Sequence, residues 1–153
     1  MYTLPITLTI AGAAALVNFW LALRITRTRA ASKTWMGDGG DPGLVARMRA
    51  HANFIEYTPF VLILLALIEL AEGSQLWLWI VGVVYILVRI AHGFGMDRPS
   101  PDKLKLRMIG IIGTALILFG LAVYAIVLPY LHREPARVTY ASALSSPGGT
   151  NAS

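Results

Sequence analysis

Apolar residues fall into four blocks along the chain, and the blocks differ in how many polar residues interrupt them. Leu4 to Leu23 holds no charged residue, and Met108 to Leu131 is a run of 24 residues with none. As a helix, either is long enough to cross a hydrocarbon layer about 30 Å thick. Between them, Ala50 to Ala71 is interrupted by His51, Asn53, Glu56 and Glu69, and Gln75 to Met96 by Arg89 and His92. The pattern predicts an all-α, integral membrane four-helix bundle with helices at about 4–25, 50–71, 75–96 and 106–131. These form one domain over residues 1–132, and the Ser/Gly/Pro/Ala-rich tail, 133–153, is expected to be disordered.

The polar punctuation supports these boundaries. Met36 to Gly43 (MGDGGDPG) has strong turn character and separates the first two spans. Glu72-Gly73-Ser74 is so short that the second and third helices are expected to form a tight antiparallel hairpin. Asp97 to Asp102 (DRPSPD) contains two prolines, so the third span should end near Met96.

Composition changes the picture in three ways. With 56% hydrophobic and 14% charged residues, the chain is far less charged than a soluble domain, which carries nearer a quarter. It has no cysteine, which excludes disulfides, thiolate metal sites and chemistry on its own thiol; any sulfur must come with a ligand. No metal site is expected. The net charge of +5 would suit nucleic acid only on a soluble basic surface, and here the cations flank apolar runs, so no nucleic-acid partner is expected. No Lys or Arg precedes the first apolar run, the reverse of a secretory leader, so it reads as a retained span.

Ten of the thirteen basic residues lie in or beside the first and third loops: Arg24, Arg27, Arg29, Lys33, Arg47, Arg49, Arg98, Lys103, Lys105 and Arg107. The second loop holds none. Loops 1 and 3 are therefore expected to be cytoplasmic and both termini to lie on the opposite side.

Depth and face can then be estimated for the polar residues inside the spans. Glu56 is seven residues beyond Arg49, roughly 10 Å along the helix, and Arg89 is seven residues before Met96, at about the same depth. Arg49, Asn53, Glu56 and Tyr57 follow i, i+4, i+7, i+8 spacing, and Tyr85, Arg89 and His92 follow i, i+4, i+7, so the two stripes are expected to line one polar groove. A structural Glu56 to Arg89 ion pair is the simpler reading. A functional pocket is favoured by the excess of polar residues at the same level, since charges inside a spanning helix usually face a partner or a wet cavity.

The string Arg49-Ala50-His51-Ala52-Asn53-Phe54-Ile55-Glu56-Tyr57-Thr58-Pro59, followed by an apolar span and Arg89-Ile90-Ala91-His92, resembles the MAPEG family, the membrane-associated proteins of eicosanoid and glutathione metabolism. The resemblance covers about Leu4 to Leu131. It implies a homotrimer of four-helix subunits with glutathione, as co-substrate, held between neighbours near the cytoplasmic face. By the resemblance, Arg49, Asn53, Glu56 and Tyr57 on the second helix and Arg89 and His92 on the third contact glutathione, with His51 a lesser candidate and one of Arg24, Arg27 or Arg29 reaching over from the adjacent subunit. The residue types suit the ligand. Glutathione has two carboxylates, an ammonium group and two peptide bonds, and so needs cations, a carboxylate and an amide.

Catalysis in the family requires a glutathione thiolate, and a neighbouring guanidinium favours that charged form. The candidates at the start of the fourth helix are Lys103, Lys105 and Arg107; Arg107, directly before the apolar run, is the expected catalytic residue because it stays charged. For all three the competing reading is interfacial snorkelling. The chain departs from the family in one place: four residues after His92 it has Met96 where well-studied members have tyrosine, so no hydroxyl is available there.

The resemblance therefore implies a membrane-embedded glutathione transferase or peroxidase acting on hydrophobic electrophiles or lipids. The alternative within the fold is a non-catalytic lipid- or glutathione-binding scaffold. A small transporter with Glu56 and Arg89 lining a polar path is a third reading, from the residues alone. Elsewhere, Trp77, Trp79 and Tyr85 read as one interfacial aromatic belt, with Trp20 and Trp35 at the other boundary. Gly110, Gly113 and Gly120 read as a close-packing seam, and His132 as a boundary residue without a catalytic role.

Overall fold

A computed structural model of the chain describes residues 4–97 and 101–131. They form four helices, α1 (Pro5–Ser32), α2 (Pro42–Glu72), α3 (Leu76–Gly95) and α4 (Pro101–Leu131), each with a stretch long and apolar enough to cross a membrane. The expected tail at 133–153, His132 and Arg98 lie outside the described residues.

The helices near the first loop run further than the apolar pattern suggested. α1 continues to Ser32 because its basic last turns remain helical outside the apolar span, and it stops where Lys33 turns left-handed (φ 53°) and the Thr34 N–H reaches back to the Arg29 carbonyl. α2 begins at Pro42, not near residue 50: the Asp41 carboxylate accepts from the Gly43 N–H at 2.8 Å, and Pro42 occupies a position where a missing N–H is harmless. Pro101 opens α4 within the stretch read as a loop. Pro59 sits within α2 and denies the Ile55 carbonyl its i+4 donor, yet the helix continues to Glu72.

Each helix packs on the next in sequence, but to different extents. α3 packs most extensively on α4, α1 packs on α2 and α3, and α1 does not meet α4 among the described residues. α2 and α3 are joined by the short turn as an antiparallel pair and face one another across the bundle centre, with α1 on one flank and α4 on the other; their direct contact is less extensive than that of α3 on α4 or α1 on α2. Ile6, Ile10, Val61, Leu65, Ile68, Leu78, Tyr85 and Leu121 form one core cluster, and Ala14, Val17, Leu21 and Phe54 a second nearer the basic end. Tyr85 is fully buried and shares a 2.8 Å hydrogen bond with Thr58, so it belongs to the core and not to an aromatic belt.

Two features fix the relative heights of the helices. Glu69, 1% exposed, accepts from the Ile6 and Thr7 N–H groups at 2.9 and 2.8 Å, from the Thr7 hydroxyl at 2.7 Å and from Ser74 at 2.9 Å. A carboxylate on α2 therefore satisfies the free N–H groups at the start of α1, which lipid cannot do. The second feature is the α3–α4 seam. Gly95 lies against the Arg107 backbone, Gly110 against His92 and Gly113 against Val88, an antiparallel register in which missing side chains allow the backbones to touch. Gly120 departs from the expected seam, with nothing within 4 Å of where a Cβ would sit.

Gly110→Ala should lower stability by about 1–3 kcal/mol, because its Cβ would overlap the Cα and Cβ of His92, whereas Gly120→Ala should be neutral or slightly stabilising. Denaturant unfolding in mixed micelles distinguishes them, and equal effects would count against the close seam.

Candidate functional site

The polar residues of the two stripes separate into an interior group and an outward group. Arg89 is 1% exposed; its Nη1 donates to Asn53 Oδ1 at 3.1 Å on α2 and to Thr114 Oγ1 at 3.2 Å on α4, and its guanidinium lies 5.4 Å from the Phe54 ring centroid. Arg89 Nε and Nη2 and both ring nitrogens of His92, which is 3% exposed, have no hydrogen-bond partner among the described residues.

The Glu56 to Arg89 ion pair, the simpler of the two readings, does not form. At 100° per residue, Glu56 lies about 60° around α2 from Asn53, away from the buried Ala50, Phe54 and Thr58. Equal depth did not bring the charges together because the side chains leave their helices in different directions. Arg89 has neutral acceptors on Nη1 alone, and Glu56 is exposed with Arg49 and Tyr57 on the outer face. The two stripes are therefore not one groove within the chain. Asn53, half-buried, stands between them.

A further cluster ties the basic ends of α1, α2 and α3 together. Arg24 donates to the Gly93 carbonyl at 2.8 Å, forms an ion pair with Asp97, and lies over the Trp20 and Phe94 rings at 4.7 and 5.9 Å. Arg47 approaches the same Asp97 carboxylate at 3.5 Å and donates to the Thr28 hydroxyl. His51 Nε2 donates to Asn18 Oδ1 at 2.8 Å. Of the three arginines considered for reaching a neighbour, Arg24 is engaged within its own chain, Arg29 contacts the Thr34 carbonyl and Met48 sulfur, and Arg27 is exposed. Asp97 and Asn18 carry much of this arrangement. Asp97 lay within an apparent loop, and Asn18 is a lone amide in an apolar run.

At the start of α4, Arg107 and Lys105 are exposed and Lys103 is half-buried. The Arg107 backbone is held against Gly95, one residue before the half-buried Met96. No group of three or more His, Cys, Asp or Glu side chains placed to hold a metal occurs among the described residues.

Four apolar helices with an arginine anchored between them, and a charged stripe facing outward at the basic end, define a multi-pass membrane protein. The sequence profile described as the MAPEG family matches residues 7–127, and the chain belongs to that family of membrane proteins of glutathione and eicosanoid metabolism. It is also 29% identical over 85 residues to the inner membrane protein YecN of Escherichia coli strain K12, and equally to YecN of the O6:H1 strain; the match covers 55% of this chain and 64% of each relative. The chain thus spans just under two thirds of the length of those relatives.

Asp97→Asn should destabilise the protein by about 1–3 kcal/mol, because it removes the carboxylate shared by Arg24 and Arg47, while Arg27→Ala on the exposed face should stay within about 0.5 kcal/mol of wild type. Unfolding midpoints in detergent test this. Equal midpoints would show that the cluster does not hold the helix ends.

Proposed function

We propose that the protein binds glutathione against the outer face of α2 at the basic end, between subunits of a homotrimer, and presents its thiolate to hydrophobic electrophiles or lipid peroxides arriving through the bilayer. The observation that carries this reading is the outward placement of Arg49 and Glu56, two charged residues exposed on a membrane-spanning helix. Lipid does not solvate Glu56, and the reading supplies what it lacks through a neighbouring subunit and a polar ligand, with Arg49 at the edge of the span beside it. Arg49 suits a ligand carboxylate, Glu56 an ammonium, and the Tyr57 hydroxyl can donate or accept. Asn53 gives its carbonyl oxygen to Arg89, leaving its NH2 group for the ligand. Arg89 and His92 stand behind the stripe, and Arg89 fixes the donor that Asn53 offers.

Arg107 is the proposed catalytic residue. Its guanidinium, exposed at the same end, stabilises the thiolate left when the glutathione thiol releases its proton to solvent. In conjugation the sulfur attacks the electrophilic carbon, a C–S bond forms, and the leaving group departs with its electron pair. In peroxide reduction two glutathione molecules are oxidised to the disulfide as the peroxide becomes an alcohol and water. Met96 contributes no hydroxyl, so activation rests on Arg107. The excess of Lys and Arg in loops 1 and 3 favours the cytoplasmic side for this end, where glutathione is available, with both termini opposite.

Met96 also favours a second reading, a scaffold of the same fold that binds glutathione or lipid without turnover. Equilibrium binding and thiolate absorbance separate the two. Arg49→Ala and Glu56→Ala should each weaken glutathione about tenfold or more, and Arg107→Ala should remove the thiolate band while leaving binding largely intact. Unchanged affinity in the first two variants would overturn the site. Binding without a thiolate band in wild type would leave the scaffold.

A further inference from the structure

The α3–α4 seam is tight at one end and open at the other. Its contacts pair Gly95 with Arg107, His92 with Gly110 and Val88 with Gly113. Continued along both helices, this register brings Trp77 level with Tyr124, and their rings meet edge to face at 5.1 Å. Between the glycine contacts and this aromatic pair nothing lies within 4 Å of where a Cβ on Gly120 would sit, and a slot of about 580 Å³ is lined by Trp77, Val81, Leu116, Ile117, Gly120 and Tyr124. That volume is in the range of small-molecule sites. Trp77 is fifteen residues from His92 on α3, roughly 22 Å, so the slot is separate from the glutathione site proposed above and does not depend on it.

The rim of the slot is polar on one side. The Tyr124 hydroxyl donates to the Glu72 carboxylate at the end of α2, level with the short α2–α3 turn at one end of the spans. Among the described residues no basic side chain forms an ion pair with Glu72, and Gly73, Ser74 and Gln75 add no cation. Inward from this rim the lining is apolar over about 12 Å of α4, from Tyr124 to Leu116. The complementary occupant has a hydrocarbon chain and a head group carrying N–H donors and positive charge. An anionic head would be repelled by Glu72, and a quaternary ammonium has no N–H to donate.

We propose that the open end of the α3–α4 seam binds one acyl chain of a primary-amine phospholipid, with its ammonium head on the Glu72 carboxylate. Occupation fills the gap left where the glycine packing stops, and couples the α2–α3 turn to α4 through the lipid.

Native mass spectrometry of the full chain in detergent, titrated separately with phosphatidylethanolamine, phosphatidylcholine and phosphatidylglycerol, tests the proposal. The expected result is about tenfold stronger retention of the ethanolamine lipid, the size of one charge-assisted contact. Glu72→Gln should abolish that preference. Gly120→Leu, which enters open space, should reduce retention of the ethanolamine lipid at an unchanged unfolding midpoint. Equal retention of all three lipids, or a preference that survives Glu72→Gln, would overturn it. So would a Gly120→Leu variant that loses its oligomeric state while retaining lipid normally, since the slot would then hold a second copy's helix.

Discussion

A guanidinium buried among apolar helices has to be held from several sides, and Arg89 is held from two: Asn53 on α2 and Thr114 on α4 both accept from one of its nitrogens. Placing such a charge in a bilayer costs about 2.5 kcal/mol or more unless protein groups replace the lost water. Because α2 and α3 face each other across the centre with α4 alongside, these bonds set three helices at a common height. The Thr58–Tyr85 hydrogen bond, one turn deeper, repeats the α2–α3 link. Glu69 does the equivalent for α1, whose first N–H groups end on a buried carboxylate. Between these anchors the apolar clusters pack without having to specify register themselves.

Arg89 is anchored through Nη1 by Asn53 and Thr114 and makes no bond to Glu56, which leaves the outer face of α2 carrying its own charge. Asn53 joins the two regions, with its oxygen committed inward and its nitrogen available outward. Neutral acceptors on the inward side and an outward pair of opposite charges are the arrangement on which the proposed glutathione site rests. The glycine seam adds a further constraint by fixing the Arg107 backbone against the end of α3.

Much of the fold was legible in the chain because apolar length alone determines what can span a membrane. Helix ends beyond the apolar runs were less so: α1 reaches Ser32 and α2 starts at Pro42 in segments whose polarity resembles a loop, although Asp41-Pro42 is itself a helix-start signal. Helical periodicity assigns faces but not neighbours, which is why Glu56 and Arg89 could be placed at one depth and assigned to one groove they do not share. Thr114 was hidden in a run without charges, Glu69 looked like an interruption when it is a cap, and Tyr85 looked interfacial when it is core. Gly110 and Gly113 pack closely and Gly120 does not, a difference set by what each faces in the folded bundle and not by local sequence.

The division into interior and outward groups is tested most directly by double-mutant cycles on unfolding free energy in mixed micelles. Asn53→Ala combined with Arg89→Met should be non-additive by about 1 kcal/mol or more, whereas Glu56→Ala combined with Arg89→Met should add within about 0.5 kcal/mol. Strong coupling of Arg89 to Glu56 with none to Asn53 would restore the ion pair and contradict the separation on which the site is built.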